Sequence, residues 1–83
     1  MTARADPSPI VALIELRAHI SAGVRISTRD AARLTEIVRG SFAAWSDAAE
    51  NTNELTVILM QEKLEPYQRA YALQLLDWIE DAL

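Results

Sequence analysis

The sequence predicts an all-α fold, a small helical bundle of three to four helices, and three observations support this prediction. Apolar residues make up 51% of the 83 residues, whereas glycine occurs twice and proline three times, a composition that favours helices over turns. Apolar positions recur at helical spacing, and strand-like alternation is at most brief, over residues 24–27. We predict a disordered tail over residues 1–7 and a single helical domain over residues 8–83.

Helix one is predicted over about residues 9–22. Ser8 followed by Pro9 is typical of a helix start, because serine caps the first turn and proline fits its first position. Gly23 stands where a left-handed C-terminal cap is expected. Arg17 falls inside the apolar face of this helix, so we expect its side chain to snorkel or to pair with an acid.

Helix two is predicted to be long, over about residues 28–50, with Ser27 or Thr28 as its cap. Gly40 lies on its polar side, where it weakens the helix by about 1 kcal/mol and need not break it. A single apolar arc continues through the whole segment, and its aromatic members are expected to pack in the core. The arc consists of Ala31, Leu34, Ile37, Val38, Phe42, Trp45, Ala48 and Ala49.

Helix three is predicted over about residues 54–64, after a break at residues 51–53, which are all turn or capping types. This helix is apolar on two nearly opposite sides, a pattern typical of a helix that is covered twice. One side consists of Leu55, Ile58 and Leu59. The other side is the candidate self-association surface and consists of Val57, Met60 and Leu64.

Helix four is predicted over about residues 66–82. Pro66 cannot continue a hydrogen-bond ladder, so it marks either a break or a kink that joins helices three and four into one. The apolar arc of this helix has an aliphatic edge and an aromatic edge. Because tyrosine and tryptophan are enriched at binding hot spots, we expect the aromatic edge to bind a partner. The candidate partner-binding residues are Tyr67, Tyr71, Leu75 and Trp78.

Charge is distributed unevenly. Residues 1–39 carry six arginines against four acids, and residues 40–83 carry two basic residues against eight acids, which together give the net charge of −4. Net acidity argues against general affinity for nucleic acid. A local anion site is the alternative hypothesis, because three arginines recur every four residues near the start of helix two. They are Arg25, Arg29 and Arg33.

Little in the sequence indicates chemistry. The chain has no cysteine and one histidine, and its two glycines stand apart, so we expect no metal, no cofactor and no phosphate loop. Glu15 and His19 share a helix face, but no nucleophile lies near them in sequence, so we expect a surface pair and no enzymatic activity. No apolar run is long enough to span a bilayer and no secretory signal is visible, so we expect a cytoplasmic protein.

These observations predict a non-enzymatic protein–protein interaction module. We expect a small acidic adaptor, chaperone or inhibitor that self-associates, because its helices have more apolar flanks than one copy of the chain can cover. It would bind a partner protein of unknown identity through an apolar and aromatic helical face. The alternative is a small helical regulator that binds DNA or an anionic ligand through the arginine cluster.

Overall fold

The computed structural model describes residues 7–83 and confirms the all-α fold class. The predicted tail lies outside the described residues except for Pro7. Four helices and no strand occur in the described part of the chain, and the helices are α1 (Pro9–Ala22), α2 (Thr28–Arg39), α3 (Asp47–Leu59) and α4 (Pro66–Ala82).

The helices form a closed ring in which α1 contacts α2 and α4, and α3 contacts α2 and α4. Successive helices are antiparallel because their connections are short. Helices α1 and α4 are also antiparallel. Arg17, in the middle of α1, contacts Asp77 and Glu80 in the last third of α4, while Gly23 at the end of α1 adjoins Arg69 near the start of α4. The body is flat, with dimensions of 41 × 31 × 17 Å, so much of each helix faces solvent.

Serine caps begin three of the four helices. The hydroxyl oxygens of Ser8, Ser27 and Ser46 each accept a hydrogen bond from the backbone N–H three residues later, at 3.3, 3.1 and 3.2 Å. At α4 the backbone N–H of Glu65 donates to the side-chain oxygen of Gln68 at 2.9 Å. Each bond satisfies a backbone N–H at a helix start that has no partner within the helix. The predicted caps Ser8 and Ser27 are confirmed.

The predicted start of helix two at Thr28 is confirmed, but its predicted end and both predicted ends of helix three are wrong. The predicted helix over residues 28–50 is two elements, because α2 ends at Arg39 and Ser46 starts α3. The apolar periodicity stays in phase across the connection, so it does not reveal the interruption. The predicted break at residues 51–53 lies inside α3, where Thr52 is buried and its hydroxyl donates to the Ala48 carbonyl at 2.8 Å. That bond satisfies the threonine within the helix and removes its preference for a turn.

The connection between α3 and α4 excludes a single helix kinked at Pro66. Helix α3 ends at Leu59, and α4 begins at Pro66 after a connection of six residues, 60–65. The helix predicted over residues 54–64 is therefore displaced toward the N-terminus as a whole. The proline is the first residue of α4, a position at which its missing N–H costs no intrahelical bond.

The core is aliphatic and draws on all four helices. Its largest fully buried aliphatic side chains are Leu16, Val38, Leu34, Leu55, Leu75, Leu76 and Ile79. Phe42 is half-buried against this core, as expected. Trp45 was also expected in the core, and this prediction is wrong: its side chain is 87% exposed. The residue lies in the connection before the Ser46 cap, so the helical arc on which the prediction depended does not exist there.

Arg17 is paired, as its position inside an apolar face predicted. Its guanidinium contacts Asp77 at 2.8 Å and Glu80 at 3.1 Å, and these ion pairs join α1 to α4. The two carboxylates raise the pKa of Arg17, with the Asp77 hydrogen bond as the largest cause. Among the described helices, none is both long and apolar enough to cross a membrane.

Candidate interaction surface

Three aromatic side chains of α4 form one exposed surface, which we call the aromatic stripe and define as Tyr67, Tyr71 and Trp78. The spacing of four and seven residues places all three on the same side of the helix. Their exposed fractions are 72%, 38% and 45%. The rings of Tyr71 and Trp78 contact each other edge to face, with centroids 6.5 Å apart and planes at 83°, a favoured geometry for aromatic pairs.

A hydrogen bond connects the aromatic stripe to α3. The Tyr71 hydroxyl donates to Oε1 of Glu54 at 2.7 Å, across 17 residues of sequence. Because the protonated hydroxyl is the donor, this bond raises the pKa of Tyr71 above its ordinary value, and lost hydration and the negative charge of Glu54 raise it further. Tyr71 is therefore held by two contacts within the chain, a hydrogen bond to Glu54 and an edge-to-face contact with Trp78.

Helix α3 contributes an acidic flank beside the stripe. Asp47, Glu50 and Glu54 lie within one third of the helix circumference, on the side that contacts α4 through Glu54. Val57 follows one turn later on the same side and is 65% exposed. No basic residue occurs in α3. The surface thus combines exposed apolar groups with a row of carboxylates.

The structure brings together only part of the predicted partner-binding set. Tyr67, Tyr71 and Trp78 are exposed and adjacent, whereas Leu75 is fully buried in the core. Leu75 lies on the same side of α4 as the buried residues Ala72 and Ile79, and this side faces the centre of the ring of helices. It cannot contact a partner while the helix stays packed.

The predicted self-association residues are divided between two environments. Val57 and Met60 are exposed, but Leu64 is half-buried and packs against the core. The reason is that Leu64 lies in the connection to α4, outside the helical face on which the sequence pattern placed it. The structure therefore supplies Val57 and Met60 as surface groups and assigns Leu64 to packing.

The three predicted anion-binding arginines are all exposed, and none pairs with an acid within residues 7–83. Arg29 and Arg33 lie one turn apart in α2. Arg25 precedes the helix and borders a cavity of about 290 Å³ where the connections 23–27 and 60–65 meet, which we call the loop-end cavity. His19 also lines this cavity, and no ion pair joins it to Glu15 within residues 7–83, so the expected surface pair is not formed.

Two features of the structure could not be found from spacing. The bond between Tyr71 and Glu54 joins residues that carry no sequence pattern in common, and the exposure of Trp45 follows from where α2 stops. A signal for the exposure of Trp45 does exist, since Ser46 followed by Asp47 and Glu50 is typical of a helix start.

Within residues 7–83, no group of three or more side chains that could hold a metal ion occurs. No family model, no curated protein and no solved structure matches this chain.

Proposed function

We propose that this protein is a non-enzymatic protein–protein interaction module of the adaptor, chaperone or inhibitor type. It binds its partner through the aromatic stripe and Val57. The main support is the fixed geometry of Tyr71, since a ring held by a hydrogen bond and an aromatic contact loses little conformational freedom on binding. The proposal includes a cytoplasmic location.

The charges beside the stripe indicate the chemistry of the partner. Asp47, Glu50 and Glu54 form a row without a compensating base in α3. A partner segment with apolar side chains and a lysine or arginine rim complements both parts of this surface. An amphipathic helix satisfies that description and fits along two adjacent helices.

Self-association is a second part of the proposal and uses Val57 and Met60. Eleven large apolar side chains are exposed among residues 7–83, and the ring of helices leaves them uncovered. Because Val57 belongs to both surfaces, a second copy of the chain and the partner compete for it. Partner binding is therefore expected to convert oligomers into complexes with one copy of this chain.

The experiment replaces Tyr67 by a photo-crosslinking phenylalanine and irradiates the protein in cells. Trp45 is the matched control position, since it is also exposed and aromatic but lies outside the stripe. We expect one protein to be captured from position 67, to be absent from position 45, and to be lost on Trp78→Ala while circular dichroism stays unchanged. Equal capture from both positions contradicts the proposal.

The purified partner then tests the charge argument. We expect binding to weaken as salt increases and to fall on Glu50→Lys, whereas Glu62→Lys outside this surface has little effect. Mass measurement of the complex tests the competition with self-association. A complex that retains the full oligomer contradicts that part of the proposal and leaves the partner surface intact.

A second candidate function is binding of DNA or another anion by the arginine cluster. Its support is that Arg29 and Arg33 are exposed one turn apart without an acidic partner in residues 7–83. A fluorescent DNA duplex is expected to bind with strong salt dependence and to be released by Arg29→Glu with Arg33→Glu. Binding unchanged by the double substitution eliminates this candidate.

A further inference from the structure

The loop-end cavity lies at one end of the bundle, between the α1–α2 and α3–α4 connections. Its volume of about 290 Å³ is just below the range that is usual for small-molecule sites, about 300–1,000 Å³. This volume corresponds to about ten water molecules at their share of liquid volume. The space therefore suits a small organic molecule of about ten non-hydrogen atoms.

The inner wall of the cavity is apolar. Three of its side chains are buried members of the core, and a fourth is half-buried against them. None of the four carries a polar group that a ligand or water could satisfy. They are Ile20, Ile26, Leu59 and Leu64.

The rim of the cavity is cationic in a chain whose net charge is negative. Arg25, Lys63 and Arg69 border it together with His19, and Glu62 is the one acid among the lining residues. Lys63 and Arg69 are the only basic residues in the acidic half of the chain, residues 40–83. No ion pair involves any of the three cations within residues 7–83.

Gly23 makes room for one of these cations. Its backbone has a φ of +70°, and a Cβ atom built on it would lie 3.1 Å from Nη1 of Arg69. The Arg69 guanidinium of α4 therefore lies against the end of α1, beside the cavity, where a Cβ atom at position 23 would push it slightly aside. The glycine both ends α1 and permits the approach of Arg69.

We propose that the loop-end cavity binds a small amphipathic carboxylate, with its apolar chain against the inner wall and its carboxylate at the cationic rim. A simple anion leaves the apolar wall without a partner, and a neutral apolar molecule leaves the cations unmatched. The site shares no residue with the aromatic stripe, so the inference goes beyond the proposed interaction module and does not depend on it. Arg25 is the one residue that the cavity shares with the arginine cluster.

The experiment titrates the isotopically labelled protein with sodium octanoate and follows backbone amide signals by NMR. Saturable shifts are expected at cavity residues such as Val24 and Leu64, with a Kd below about 1 mM. Tyr71 and Trp78 are expected not to respond. Shifts centred on the aromatic stripe, or no saturation by 10 mM (about ten times the expected upper limit), overturn the proposal.

Variants and related probes separate the two halves of the recognition. Arg69→Gln and Lys63→Gln are each expected to weaken octanoate binding about tenfold. Arg39→Gln, a cation outside the cavity that pairs with Glu36, is expected to leave octanoate binding unchanged. Octylammonium, 1-octanol and inorganic phosphate are expected to bind at least tenfold more weakly than octanoate (about the value of one charge-assisted contact). Equal binding of any of these three probes, or of the Arg69→Gln variant, overturns the proposal.

Discussion

Replacing Leu75 and Trp45 by alanine, one at a time, is expected to reverse the ranking that helical periodicity predicts. The sequence pattern places Leu75 on a binding surface and Trp45 in the core. In the structure Leu75 is fully buried and Trp45 is the most exposed large apolar side chain among residues 7–83. The stability of the two variants therefore tests the tertiary arrangement directly.

The expected magnitudes follow from burial. Leu75→Ala removes three buried carbons, which corresponds to about 2.4 kcal/mol of transfer free energy, and the remaining cavity raises the loss to about 3–4 kcal/mol. Trp45 buries about one eighth of its surface, or about 25 Å² of the roughly 200 Å² that a buried tryptophan covers. At about 25 cal/mol per Å², Trp45→Ala is expected to cost about 0.6 kcal/mol.

Urea denaturation followed by far-UV circular dichroism measures both variants without using tryptophan emission. A domain of this length has a free energy of unfolding of roughly 4–12 kcal/mol, so Leu75→Ala is expected to lose a large fraction of its stability. Ile79→Val, at an equally buried site, is the milder variant and is expected to cost about 1 kcal/mol. A greater loss for Trp45→Ala than for Leu75→Ala would refute this reasoning.

Three further predictions concern two side-chain contacts and the backbone conformation at two glycines. Glu54→Gln is expected to lower the pKa of Tyr71 toward its ordinary value, as measured by NMR of the tyrosine ring. Because the folded-state pKa of Tyr71 is raised, the bond to Glu54 contributes fully to the free energy of unfolding below pH of about 10. This contribution is lost as the pH rises through the folded-state pKa. Arg17→Gln is expected to cost about 0.5–1 kcal/mol because both ion pairs are part-exposed, and an equal loss in 1 M NaCl (where screening acts within about 3 Å) would contradict an ionic origin. Gly40→Ala is expected to stabilise the protein by about 0.5 kcal/mol, since the φ of Gly40 is −61°. Gly23→Ala is expected to destabilise it by about 1–2 kcal/mol, since the φ of Gly23 is +70°. Changes of the same sign in the free energy of unfolding of both variants, measured by urea denaturation, would contradict the backbone argument.

The elements that the sequence predicts well are those whose ends carry a local signal. Ser8 with Pro9 and Gly23 mark both ends of α1, and the predicted and observed ranges agree. Pro66 likewise marks the start of α4. The prediction for the middle of the chain is wrong because the apolar period continues through the α2–α3 connection. Periodicity cannot distinguish a continuous helix from a connection that preserves the phase of the apolar positions.

The candidate surface was predictable only in part, for a related reason. Spacing along α4 places Tyr67, Tyr71 and Trp78 on one side, since that depends on helical geometry alone. The packing of α1 and α3 against α4 determines which edge of α4 faces the core, and this packing buries Leu75. The bond between Tyr71 and Glu54 arises from the same packing and gives the surface its fixed geometry.

The sequence by itself determined the helical class, the ends of α1 and the start of α4, because capping residues and apolar periodicity act within a few residues of chain. Only the tertiary structure decided which apolar side chains are covered and which cations meet at the loop-end cavity. Those outcomes depend on contacts between residues far apart in sequence, as when Arg25 and Arg69 reach one cavity from opposite halves of the chain. Burial is a property of the assembled ring of helices, and no single helix encodes it.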